Sequence, residues 1–119
     1  MKISKSLEIA KGFLGRELEI IIDRPLGSKH PEFGFVYEAN YGYVEGVKAP
    51  DGDNLDAYFL GEGKSLAKAR GKVVAIIHRL DDDDDKLVVA AAGYEPDDDE
   101  IRRLTDFQEK WFKSEIIRE

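Results

Sequence analysis

Residues 40–60 read NYGYVEGVKAPDGDNLDAYFL, two apolar and aromatic runs set around one acidic turn. Proline fixes φ and glycine admits conformations other residues avoid, so Pro50-Asp51-Gly52 predicts a tight turn. Beyond it, Asp56-Ala57-Tyr58-Phe59-Leu60 alternates as a strand does, and residues 41–47 read as the strand before it. Three carboxylates, Asp51, Asp53 and Asp56, fall within six residues of each other. Asp51 and Asp53 can point the same way in extended chain. Clustered carboxylates repel unless water or a divalent cation intervenes, and hard cations such as Mg²⁺ prefer carboxylate oxygens. The turn is therefore a metal-site candidate, with a solvated acidic turn as the alternative. A calcium loop would need an oxygen ligand at its fifth position and glycine at its sixth. Leu55 and Asp56 stand there instead.

Upstream, residues 33–38 form a second aromatic-rich run, separated from the first strand by Ala39-Asn40, which predicts a hairpin or a bend. Residues 24–31, RPLGSKHP, form a loop between two prolines and carry the chain's one compact basic spot. Arg24 offers a planar fork and Lys29 a point charge for phosphate, although an ordinary solvated loop with Arg24 in an ion pair fits equally. Residues 17–23 alternate and become β-branched, as a strand does. Leu7, Ala10 and Leu14 lie at helical spacing, with Ser4 or Ser6 as caps and Gly15 as the stop.

Downstream, residues 61–71 predict a polar connection or short helical turn, and residues 72–80 a strand with β-branched weight on both faces. Five aspartates, Asp81 to Asp85, then lead to Lys86 and a strand over 87–92, a hairpin with a negative tip. Such a run is usually a solvated loop. Asp84 and Lys86, two apart, can nonetheless share a face. After Pro96, Asp97-Asp98-Asp99-Glu100 suits a helix amino end. Ile101, Leu104, Phe107, Trp111 and Phe112 continue at helical spacing, and Ile116 and Ile117 extend the apolar side. This predicts one long amphipathic helix with Trp111 and Phe112 in the core.

The fold class predicted is α+β: a small, five- to six-stranded, OB-like β-barrel with a C-terminal α-helix packed on it. A length of 119 residues gives one domain with a real core, and 42% hydrophobic with 36% charged residues fits a globular chain with a busy surface. There is no cysteine, so disulfides and thiolate zinc sites are excluded. No apolar run is long enough to span a bilayer, the amino terminus lacks a secretion signal, and a cytoplasmic location is expected. A net charge of −7 without a basic stripe disfavours nucleic acid.

The run from Tyr37 through Asn40-Tyr41-Gly42-Tyr43 to Asp51-Gly52-Asp53-Asn54-Leu55-Asp56-Ala57 resembles the signature of the family I soluble inorganic pyrophosphatases. The segment from Asp81 to Lys86, running into Leu87-Val88-Val89, resembles that family's second acidic stretch. The resemblance covers residues 17–92 and makes residues 1–119 a single, short, divergent pyrophosphatase-like domain. It implies Mg²⁺-dependent hydrolysis of pyrophosphate, with Mn²⁺ as the alternative cation, and a family that assembles into homo-oligomers through a surface lying partly in regions this chain shortens.

Residue by residue, it makes Asp51, Asp53, Asp56, Asp81 and Asp84 metal ligands and Asp53 the general base. Tyr41 falls at the active-site tyrosine and Lys86 at a phosphate contact. Asp23 lies where the family often has a glutamate lining the site. The chain departs in its Asn54, where the signature has Pro or Glu, and in a shortened segment between Pro25 and Tyr37. That segment lacks a lysine and an arginine, for which Arg24 and Lys29 are the local substitutes. The family's late Tyr-Lys pair reduces to Lys113, displaced by one. Two rival readings keep the site but change its use: hydrolysis of a larger phosphoanhydride such as a nucleoside diphosphate, or a non-catalytic metal- or anion-binding barrel.

Overall fold

A computed structural model describes residues 5–81 and 84–119. Eight elements follow in order: α1 (Lys5–Lys11), β1 (Glu17–Arg24), β2 (Asn40–Lys48), β3 (Asn54–Leu60), β4 (Lys68–Arg79), β5 (Lys86–Ala90), α2 (Asp98–Glu109) and β6 (Ser114–Ile117). The sheet runs β1-β2-β3-β5-β4-β6, and β1 also pairs with β4, closing five strands into a barrel with β6 outside the ring. All pairings are antiparallel except β3 with β5.

Period-two alternation sorts side chains to the two faces of a strand. Leu55, Ala57 and Phe59 of β3, Leu87 and Val89 of β5, and Ile20 and Ile22 of β1 fill the interior with Val44, Val73 and Ile76. Leu7 and Ala10 of α1 join this interior cluster. The intervening residues Tyr58, Leu60, Val88, Ala75 and Ile77 face outward and form a second core with Tyr37, Tyr41, Ile101 and Phe107, where α2 covers the barrel. Asp56 and Lys86 share the outer parity of their strands, and the register Ala57↔Leu87 sets them side by side.

The β2–β3 turn forms where expected. Gly52 takes φ +89°, which glycine alone adopts without strain, and its N–H donates to the Ala49 carbonyl at 3.0 Å. Tyr41 pairs with Tyr58 and Tyr43 with Asp56 without an intervening bulge, so both tyrosines lie on the outer face. The α2 amino end also forms as read, with Asp97 accepting from the Glu100 N–H at 2.8 Å.

Three expectations are corrected. The helix ends at Glu109, and Ile116 and Ile117 lie in β6, opposite Ile77 and Ile76 of β4. The physical reason is an open edge: β1 covers β4 only over Lys68–Lys72, and β6 takes up the pairing groups β1 leaves bare. Trp111 is 58% exposed and Phe112 half-buried, because the chain turns out of the helix before reaching them. The expected bend forms at Glu38-Ala39, and the residues before it pair with their own loop, through Gly27 N–H to Tyr37 O, Tyr37 N–H to Ser28 O and His30 N–H to Phe35 O, each 2.8 Å. Finally, β4 begins at Lys68, inside the segment read as a connection. Ser4, Asp82 and Asp83 lie outside the described residues.

Candidate active site

The outer parity of β2, β3 and β5 and the end of β4 bring Tyr41, Asp56, Lys86 and Arg79 to one patch beneath α2. Lys86, only 3% exposed, donates from Nζ to Asp56 Oδ2 at 2.6 Å and to Asp84 Oδ1 at 2.8 Å. One ammonium thus ties the first acidic segment to the second across thirty residues of chain. The Tyr41 ring lies 5.8 Å from the same nitrogen, and its hydroxyl lies within the field of Asp56 and Asp84. Burial, then the charges of Asp56 and Asp84, push the Tyr41 hydroxyl well above its ordinary range, so it keeps its proton and serves as a donor.

Arg79 sits behind this pair. Its Nε and Nη2 donate to the two oxygens of Glu109 at 3.0 and 2.9 Å, and its Nη1 to Asp84 Oδ2 at 3.3 Å. The guanidinium also covers the Phe112 ring at 3.6 Å. Burial alone would lower its pKa, but the carboxylates of Glu109 and Asp84 outweigh burial and raise it. Tyr58 donates to Glu109 at 2.6 Å and accepts from Gln108 Nε2 at 2.7 Å, while Tyr37 donates to Gln108 Oε1 at 2.9 Å. Sequence reading missed Arg79, Glu109, Tyr58 and Gln108. The available signal was parity: Arg79 lies two residues past Ile77, on the strand face that Ala75 and Ile77 give to the outer core.

Two clefts meet at Asp56 and Lys86. The acidic one, about 260 Å³, is lined by Asp23, Tyr43, Asp53, Asn54 and Asp56. Burial, and then the Asp56 charge, raise the Asp23 pKa against the opposing pull of Arg24. The other, about 580 Å³, is lined by Tyr41, Lys86, Asp84 and Arg79 together with an aromatic group that includes Phe35 and Trp111.

The remaining sequence-derived candidates are not among the residues lining either cleft. Asp51 is exposed and caps its own turn, its Oδ1 accepting from the Asp53 N–H at 2.9 Å. Asp81 is exposed just past β4. Asp85 is buried and structural: His78 Nδ1 lies 3.0 Å from its Oδ2, and its Oδ1 accepts from the Arg79 N–H at 3.1 Å. Arg24 bonds the Asp23 carbonyl at 3.3 Å, and its charge acts on the Tyr37 hydroxyl. Lys29 is exposed and bridges to Val36 through its backbone, and Lys113 is exposed with its carbonyl accepting from Leu80 N–H.

The acidic cleft offers only hard oxygen donors. The Asn54 Oδ1 is buried and has no hydrogen-bond partner among the described residues, an orphaned carbonyl oxygen beside Asp53 and Asp56. Among the described residues no three acidic or histidine side chains already converge as a closed cage. Mg²⁺ does not require one, since it is commonly held by one or two carboxylates and keeps several waters. The donor chemistry fits that ion.

Comparison with known proteins agrees with this architecture. Structures of inorganic pyrophosphatases from Ehrlichia chaffeensis (TM-score 0.66, 16% identity, 86% of this chain and 85% of that one) and Helicobacter pylori (0.65, 16%, 87% and 85%) share the fold. So does that from Thermus thermophilus (0.58, 18%, 84% and 79%). No curated protein sequence matches the chain. The inorganic pyrophosphatase family model matches residues 16–117, a span that takes in all six strands and α2. The chain therefore belongs to the inorganic pyrophosphatase family, metal-dependent hydrolases that split the phosphoanhydride bond of pyrophosphate.

Proposed function

We propose that this chain hydrolyses pyrophosphate to two phosphates with Mg²⁺, using the junction of the two clefts as its reaction site. The observation that carries this reading is the Lys86 bridge between Asp56 and Asp84, which makes one site of two distant acidic segments. Asp53, Asp56 and the Asn54 carbonyl, with Asp23 beside them, would hold the metal, and Asp84 would serve from the other side of Lys86. Bound there, Mg²⁺ supplies neutralisation of the substrate's charge and acidification of water.

The chain's own residues account for the rest. Asp53, exposed at the mouth of the acidic cleft, takes the proton of the attacking water. Lys86 and Arg79 present fixed positive charge to the phosphate that leaves. Tyr41 packs its ring beside Lys86 and keeps its proton. Arg79 takes the place that sequence reading gave to Lys29 and Lys113, whose side chains line neither cleft. Asp51 and Asp81 are outer members of the acidic segments, with a weaker claim to the metal than Asp53 and Asp56.

The test is phosphate release from pyrophosphate by purified protein with and without Mg²⁺, alongside Asp53→Asn. The substitution keeps the shape and removes the base, so release should fall at least about a hundredfold, the usual reach of general-base catalysis. Activity retained in Asp53→Asn removes Asp53 from its role. Absence of Mg²⁺-dependent release in the parent chain defeats the whole reading.

A further inference from the structure

The larger cleft has a side for which a pyrophosphate ion has no use. Beside Lys86 and Arg79 it is lined by His30, Phe33, Phe35 and Trp111. These rings form a continuous array: His30 on Phe33 at 4.9 Å between centroids, His30 on Phe35 at 4.9 Å, and Phe35 on Trp111 at 5.4 Å. The loop that carries His30, Phe33 and Phe35 is fixed in place. His30 Nδ1 accepts from the N–H groups of both Glu32 and Phe33 at 3.1 Å, and the His30 N–H bonds Phe35 O at 2.8 Å. Yet Phe33 is 74% and Trp111 58% exposed, so the array presents ring surface to water within the cleft. Pyrophosphate is all oxygen and phosphorus and gains nothing from such a wall. The volume, about 580 Å³, falls in the range of sites for organic ligands.

We propose that the protein also takes phosphoanhydrides bearing a planar aromatic group, nucleoside diphosphates foremost. Their base stacks on Phe33 and Trp111, and their phosphates reach Lys86 and Arg79. The inference rests on the reading of the cleft junction as the place where a phosphoanhydride is cleaved. Aromatic faces accept any base, so the wall selects for a ring and not for a particular nucleobase. The negative charge of Asp56, Asp84 and Glu109 around the two cations means the ligand enters as its Mg²⁺ complex. In the reaction, a water oxygen bonds to the terminal phosphorus as the bond to the bridging oxygen breaks. That oxygen leaves on the nucleoside monophosphate, and the water's proton passes to Asp53, giving monophosphate and orthophosphate.

Trp111 is the chain's one tryptophan, so its fluorescence reports on the wall directly. The full chain with Mg²⁺ is titrated with adenosine diphosphate and, as a ringless control of greater charge, inorganic triphosphate. Adenosine diphosphate should quench Trp111 saturably and release phosphate, and inorganic triphosphate should leave the fluorescence unchanged. Phe33→Ala, at an exposed position, should lower the ratio of kcat/KM for adenosine diphosphate to that for pyrophosphate about tenfold. Turnover of pyrophosphate without quenching or release from adenosine diphosphate overturns the inference and leaves the pyrophosphatase reading standing. Turnover of adenosine diphosphate alone does the reverse. Equal quenching by inorganic triphosphate overturns the inference. So does a Trp111 signal that changes on dilution without nucleotide while sedimentation shows a dimer, because a second copy then covers the wall.

Discussion

Glu109 is the residue whose position asks for most explanation. It is 7% exposed and sits in the last turn of α2, where the helix dipole disfavours negative charge and no basic helix residue offsets it. The two-pronged contact with Arg79 makes the position tenable, and the Tyr58 hydroxyl adds a third bond. The pair fastens α2 to the barrel and holds Arg79 where it can also reach Asp84. Removing one partner of a buried pair leaves the other charge uncompensated, at a cost of about 3 kcal/mol. Glu109→Gln should therefore lower the thermal midpoint by about 10 °C or more, measured by circular dichroism. A fall of only a degree or two would mean that Arg79 does not depend on Glu109.

Among the elements, the β1–β2 pair is the one most sensitive to a small change. Gly42 lies opposite Ile22, and a Cβ placed on it would fall 1.7 Å from the Ile21 carbonyl oxygen. The obstacle is backbone and cannot swing aside, so Gly42→Ala must push two barrel strands apart. The expected loss is about 3 kcal/mol, read as a lower urea midpoint. An unchanged midpoint would refute the close approach of β1 to β2. Asn40, fully buried beside it, ties this corner together: its Oδ1 accepts from Leu26 N–H at 2.9 Å and its Nδ2 donates to Lys64 O at 2.9 Å. The Asn-Tyr-Gly-Tyr run thus divides its labour, with Asn40 and Gly42 serving the fold and Tyr41 the site.

Across the whole molecule, a layer of tyrosines joins the barrel to α2. Tyr37 meets Tyr41 at 5.6 Å, Tyr41 meets Tyr58 at 4.8 Å, and Phe107 of α2 packs on Tyr37 at 5.4 Å and on Tyr58 at 6.1 Å. Burial raises the pKa of Tyr37, Tyr41 and Tyr58, and the Glu109 charge raises that of Tyr58 further. Tyr94 is pushed up to about 12 by burial and by its bond to Glu100. A tyrosine that holds its proton more tightly when folded favours the folded state until the unfolded form begins to ionise, near pH ~10. Stability from this layer is therefore complete below that pH and declines as pH rises toward the folded values. Tyrosinate absorbance from Tyr37, Tyr41, Tyr58 and Tyr94 should appear only above pH ~10, together with loss of near-ultraviolet dichroism. Ionisation of these tyrosines with the dichroism intact would contradict the packing.

Alternation in residues 17–23 and 56–60, the aromatic-rich run 41–47 and the β-branched run 72–80 were enough to locate β1 to β4, since each is a local property of the chain. The Pro50-Asp51-Gly52 turn and the Asp97 cap were legible for the same reason: each satisfies its backbone within a few residues. Ile116 and Ile117 were not, because an apolar pair suits a helix face and a sheet edge alike, and the bare edge of β4 that decides between them is a distant partner. The acidic segments named themselves as candidates through their carboxylates. Which of these carboxylates meet was a matter for the tertiary structure, through the parallel register of β3 and β5 and the single ammonium of Lys86 lodged between Asp56 and Asp84. Local chemistry determined what each segment can be, whereas pairing between remote strands decided which side chains share a site, because that contact energy depends on residues far apart in the chain.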